Sequence, residues 1–262
     1  MTHSPIFLSD NTITKNELEL LSEWMLEGNR LTKSVETSRF EKQFSDWIGS
    51  KYSLFVNSGS SANLLMIYAF RELGRLRNNR AIAPAVSWVT TVSPLLQFSF
   101  DTILCDCDSE NLGLDLNHLE ALIKKHDPAL LILVHVLGHS NSMDEIKELC
   151  DRHEIILLED TCEALGSSYN QINLGTIGNA GSFSFYYGHH ISTIEGGMVV
   201  TDDYELYQTM LSLRSHGWSR DLDPAIRKQL TDINQIDEFQ NLYTFYSDSR
   251  QFFPLAIYTS FK

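Results

Sequence analysis

The sequence predicts an α/β fold: a mostly parallel sheet with helices on both faces. Two observations carry this. Short apolar runs of strand length alternate with stretches of helical periodicity, the pattern of a sheet whose crossovers are helices. The runs are apolar throughout rather than every second residue, as strands covered on both faces are. In such a sheet a ligand is expected at the carboxyl ends of the strands.

The elements follow in order. Glu36–Ile48 is amphipathic, with Phe40, Phe44 and Trp47 on one side, and ends at Gly49. Tyr52–Val56 reads as a buried strand and Ser60–Leu73 as a helix. Strands are expected at Ala81–Ala83, ending at Pro84, and at Thr102–Leu104. Helix Leu116–Lys125, strand Leu130–Val136, helix Met143–His153 and strand Ile155–Leu158 continue the alternation. Gly181–Phe185 and Gly197–Thr201 are two more strands, and Tyr204–Arg214 is a helix. From Asp221 onward the pattern is polar and irregular, and the final stretch, YSDSRQFFPLAIYTSFK, has no place in this scheme.

Composition narrows the function. The 262 residues are 43% hydrophobic and 21% charged, enough for one large domain or two small ones. A net charge of −14 argues against nucleic acid and anionic membranes as partners. It leaves room for an anionic ligand held by local backbone amides. The start lacks a signal-peptide apolar region, and no apolar run approaches bilayer length. Cys105, Cys107, Cys150 and Cys162 match neither zinc nor iron–sulfur spacing and read as reduced thiols of a cytoplasmic protein.

Four constellations bear chemistry. Asn57-Ser58-Gly59-Ser60-Ser61-Ala62-Asn63 follows a strand and opens a helix, which suits an anion as well as it suits a plain helix cap. Glu159-Asp160-Thr161-Cys162-Glu163 gathers carboxylates at a strand end. They could hold a metal, act as acid and base, or neutralise a cationic ring nitrogen; alone, Asp160 as a helix N-cap is the plainer reading. His189-His190 invites a metal, although neighbours on an extended segment point opposite ways. Trp88, after Pro84-Ala85-Val86-Ser87, suits either ring stacking or the core.

Taken together and in this order, these motifs resemble the DegT/DnrJ/EryC1/StrS sugar aminotransferases. The carrying stretches are Arg39-Phe40-Glu41 with Phe44, KYSLFVNSGSSANL at Lys51–Leu64, and PAVSW at Pro84–Trp88. LLEDTCEALGS at Leu157–Ser167, GSFSFYYGHHISTIEGGMVVTDD at Gly181–Asp203 and LRSHGW at Leu213–Trp218 complete them. The resemblance spans roughly Leu31 to Tyr246 and implies the large domain of a fold-type I, pyridoxal phosphate-dependent transferase. It implies that Gly59, Ser60 and Ser184 hold the cofactor phosphate, that Trp88 stacks on the ring, that Asp160 pairs with the ring nitrogen and that Glu163 lies near the ring hydroxyl. Where the aminotransferases have their Schiff-base lysine this chain has His189. That version is similar to the 3-dehydratase branch, which holds pyridoxamine phosphate without a covalent bond and uses the histidine as acid and base. A related branch ligates an iron–sulfur cluster with cysteines beyond the histidine; no cysteine follows Cys162 here, which disfavours it.

The implied substrate is a nucleotide-linked 4-keto-6-deoxy sugar, GDP-linked on resemblance, with glutamate as amine donor and a homodimer as the assembly. His216 and Arg220 are candidates for facing the nucleotide, or else simply form a surface turn. Expected boundaries are an N-terminal helical segment at 1–30, the large domain at 31–246 and a divergent tail at 247–262. The family's C-terminal small domain is expected to be absent. A non-catalytic remnant and a nucleotide-sugar aminotransferase remain the alternatives.

Overall fold

The structure, a computed structural model, describes residues 13–215, 217 and 221–234. A seven-stranded sheet of order β1-β9-β8-β5-β4-β2-β3 forms its centre. The strands are β1 (Tyr52–Val56), β2 (Arg80–Pro84), β3 (Asp101–Cys105), β4 (Leu130–Val134), β5 (Ile156–Asp160), β8 (Ala180–Ser184) and β9 (Gly197–Thr201). β6 (Ser168–Tyr169) and β7 (Ile172–Asn173) make a separate small hairpin. The ladders β3·β2·β4·β5·β8 are parallel. β9 runs antiparallel to both β8 and β1, with Val56 opposite Gly197. β1 and all the parallel strands therefore end on the same edge of the sheet.

Every expected strand is present, within two residues of its expected bounds. Side-chain alternation sends β4 into two cores. Leu130 and Ile132 join α3 (Gly59–Glu72), α4 (Val89–Gln97) and α7 (Tyr204–Arg214) on one face. Leu131 and Leu133 join α5 (Leu116–His126) and α6 (Met143–Arg152) on the other. A third cluster sets Phe44 and Ile48 of α2 (Val35–Ile48) against Phe183, Phe185, Met198 and Val200. α2 stops where Gly49 takes φ 90°, a left-handed cap that costs glycine little. α1 (Lys15–Leu26) begins at a Thr14–Glu17 capping box and buries none of its side chains.

Two elements depart from the sequence reading. α4 carries Pro94 in its interior, a helix-breaking signal. Proline has no N–H for the carbonyl of Thr90 four residues back, and the Asn63 side-chain amide donates to that carbonyl instead, at 3.4 Å. The stretch after Asp221, read as irregular, contains α8 (Pro224–Asn234). Leu222 and Ile226, four residues apart, pack it onto the first core. The tail at 247–262 lies outside the described residues.

Candidate functional site

The motifs collect at the edge where β1, β2, β5 and β8 end. Asp160, the last residue of β5, is buried at 4% exposure. Its Oδ2 accepts from the Asn63 amide and the Thr91 hydroxyl, both at 2.7 Å. Its Oδ1 accepts the Cys162 backbone N–H at 3.1 Å. The Ser182 hydroxyl donates to Asn63 Oδ1 at 2.6 Å, which fixes the amide with its N–H group on the carboxylate. No helix follows β5, so the N-cap reading of Asp160 fails; the bond to Cys162 makes it an Asx turn instead.

Glu159 leaves the strand on the opposite face, as alternation requires. Fully buried, it accepts the backbone N–H groups of Gly175, Ile177 and Gly178 at 2.9, 2.7 and 2.6 Å and meets His135 Nε2 at 3.1 Å. It clamps the loop that leads into β8 and takes no part in an acidic cluster. Among the described residues no group of three metal-binding side chains exists.

Asn57–Gly59 turns from β1 into α3. Ser58 caps the helix by accepting the Ser61 N–H, and helix geometry leaves the N–H groups of Gly59 and Ser60 without intrahelical acceptors. Gly59 presses against the end of β8: a Cβ there would sit 2.7 Å from both Cys162 Sγ and Ser184 Cβ. Ser60 bonds Thr90 at 3.1 Å. This cradle, open only to a residue without a side chain, fits a phosphate group. Trp88, at the start of α4, is 70% exposed and so is not a core residue.

His189 does not lie on an extended segment. Its N–H bonds the Tyr186 carbonyl at 2.9 Å, closing a turn just past β8. The ring is half-buried. Burial lowers its pKa, with His190 adding to the effect, while the charges of Glu163 and Asp160 oppose it. Glu163 itself accepts the Leu137 N–H at 2.8 Å. Burial and the neighbouring Asp160 push the Cys162 thiol well up, so it stays protonated. NMR titration of His189 in the free protein is expected to give a midpoint below the ordinary value of about 6.5. Its neutral form then prevails at neutral pH and survives into mild acid. A midpoint above that value would mean that the carboxylates outweigh burial.

Sequence reasoning named Asp160 but missed Asn63 and Thr91 as the side chains that hold it. His216 and Arg220 lie outside the described residues. A groove of about 680 Å³ lies against the other face of α3, lined by Trp24, Phe55, Leu64 and Tyr68 among others, and shares none of the residues around Asp160.

Known proteins share this sequence pattern and fold. A profile of the DegT/DnrJ/EryC1/StrS aminotransferase family matches residues 11–240. Over 241 residues the chain is 39% identical to GDP-4-keto-6-deoxy-D-mannose 3-dehydratase of Yersinia pseudotuberculosis, covering 91% of this chain and 60% of that protein. Two solved structures of GDP-4-keto-6-deoxymannose-3-dehydratase match with TM-scores of 0.75 and 0.76 at 38% and 37% identity. They cover 82% and 84% of this chain, and 56% and 57% of theirs is covered in return. One is a point variant with bound GDP-perosamine; the other holds a trapped PLP-glutamate geminal diamine. The chain spans less than two thirds of the length of these relatives. With the sheet order, the motifs at its edge and a profile match over nearly its whole length, the chain belongs to the DegT/DnrJ/EryC1/StrS aminotransferase family.

Proposed function

We propose that this chain forms the cofactor-binding part of a pyridoxamine phosphate/pyridoxal phosphate-dependent 3-dehydratase acting on a nucleotide-linked 4-keto-6-deoxy sugar. The observation that carries the reading is His189. It lies half-buried at the mouth of the site, within the fields of Glu163 and Asp160, and no lysine occurs between Lys147 and Lys228 to form a Schiff base there. The similarity to GDP-4-keto-6-deoxymannose 3-dehydratases, seen with GDP-perosamine or a PLP-glutamate adduct, supports a GDP-linked substrate and glutamate as amine donor.

The residues suit the group. Gly59, Ser60 and Ser184 would hold its phosphate, and the exposed Trp88 ring would lie on its pyridine face. Asp160 would pair with the ring nitrogen, and Glu163 would stand near the ring hydroxyl. Once bound, the cofactor supplies an amine that condenses with the substrate ketone and a ring that accepts electrons. His189, neutral at pH 7, would take the proton released at C4′ and deliver one to the departing C3 hydroxyl. His216 and Arg220 are proposed to face the nucleotide. A homodimer in the cytoplasm completes the proposal; no described helix is long and apolar enough to cross a membrane.

Titration of the purified chain with pyridoxamine phosphate tests this. Saturable absorbance change is expected, with a rise in melting temperature equivalent to about 2.7 kcal/mol at a hundredfold excess over Kd. Addition of GDP-4-keto-6-deoxymannose should then release ammonia. Absence of saturable binding would sink the proposal, whereas binding without turnover would reduce the chain to a cofactor-binding module.

A further inference from the structure

Three neutral side chains converge on Asp160 in an arrangement that singles out one of its two oxygens. We propose that Ser182, Asn63 and Thr91 act as positioning residues that fill Asp160 Oδ2 and leave Oδ1 as the acceptor for the ring nitrogen. The proposal rests on the reading that the site takes a vitamin B6 cofactor, and deepens it.

An ionised carboxylate offers about four lone-pair positions, two on each oxygen. Thr91 Oγ1 and Asn63 Nδ2 occupy both positions on Oδ2 at 2.7 Å. Oδ1 receives the Cys162 N–H at 3.1 Å, and the Cys162 thiol that also bonds this carboxylate is a weak donor that a stronger one can displace. The Asn63 amide is prevented from turning over because Ser182, from the neighbouring strand β8, donates to its oxygen at 2.6 Å. All four polar side chains are at least nine-tenths buried, which removes water as a substitute partner and makes each bond costly to lose. The relay ties three elements to one carboxylate: β8 through Ser182, α3 through Asn63 and α4 through Thr91.

A carboxylate opposite a ring nitrogen keeps that nitrogen protonated, the state in which the ring best accepts electrons. The titratable groups facing Asp160 are Cys162 and Glu163 from its own loop and His189 from the turn after β8. Asn63 and Thr91, which α3 and α4 bring to it, are neutral. Removing a donor from these helices therefore alters the carboxylate without altering the charges around it.

The test measures pyridoxamine phosphate affinity by absorbance in the wild type and in Thr91→Val, Thr91→Ser and Ser182→Ala. Thr91→Val keeps the shape and loses the donor. It should bind about tenfold more weakly, the equivalent of one hydrogen bond to a charged group. Thr91→Ser should restore the affinity. Ser182→Ala should weaken binding by less, and carries the test alone if Thr91→Val does not fold. A lower melting temperature with affinity unchanged would overturn the positioning role and leave the cofactor reading standing. Failure of the wild type to bind pyridoxamine phosphate would overturn both.

Discussion

Lysine in place of His189 is expected to create a covalent attachment. Incubated with pyridoxal phosphate and reduced with borohydride, His189→Lys should gain the mass of the reduced cofactor on a peptide spanning Phe185–Ile191, and the wild type should gain nothing there. The turn that carries His189 lies just past β8, whose last residue Ser184 packs on Gly59 in the proposed phosphate cradle. Attachment point and cradle are thus fixed by the same strand. An imidazole at this position moves protons but makes no stable Schiff base, so the same substitution removes the acid and base. Dehydration should fall by about 10²–10⁴, the usual worth of a positioned proton-transfer group. An unmodified lysine variant that still binds pyridoxal phosphate would place the cofactor's aldehyde away from residue 189 and dismiss the assignment.

The second large effect concerns stability. Glu159→Ala strips three backbone N–H groups, one buried and two part-buried, of their acceptor and leaves His135 Nε2 without its partner. Orphaned buried donors cost about 1–3 kcal/mol each, so a loss of roughly 4 kcal/mol is expected. That is a large share of the 5–15 kcal/mol that usually separates a folded domain from its unfolded chain. Urea unfolding should show a much lower midpoint with an unchanged slope. Glu159→Gln, which keeps one acceptor oxygen and the volume, should lose less. An alanine variant with the wild-type midpoint would show that the loop at 175–178 finds other acceptors and that the carboxylate is dispensable to the fold.

Much of this was legible in the sequence, and the exceptions have physical causes. Strands were readable because both faces of the sheet are covered: Leu130–Val134 is apolar without a break and wholly buried. α4 was hidden by Pro94, whose missing donor is compensated by a side chain from another helix. α8 was hidden by a polar pattern; among its described side chains Ile226, with Leu222 just before it, packs on the core. At the site, the residues that would touch the cofactor sit at strand ends, where position in the chain announces them. Those that hold Asp160 do not. Asn63 looks like any residue of a helix start, and Thr91 belongs to the helix that the proline concealed. One signal was available and unused. Glu159 and Asp160 are adjacent on a strand, so period two already sends them to opposite faces, one to clamp a loop and one to meet a ligand.

The antiparallel placement of β9 has a consequence for how the molecule comes to exist. Among the described strands β1 pairs with β9 alone, and all the parallel ladders lie between the two in sequence. Gly197, the first residue of β9, comes so close to Ser58 that a Cβ would stand 2.3 Å from the Ser58 carbonyl oxygen. The turn proposed to hold the phosphate is therefore braced by a strand that leaves the ribosome long after it. Contacts so distant along the chain carry a high loop-closure cost and form late. β2 through β5 are joined by short crossovers, but the brace on that turn is in place only when β9 sits between β1 and β8, so the proposed cradle depends on the most distant pairing in the sheet.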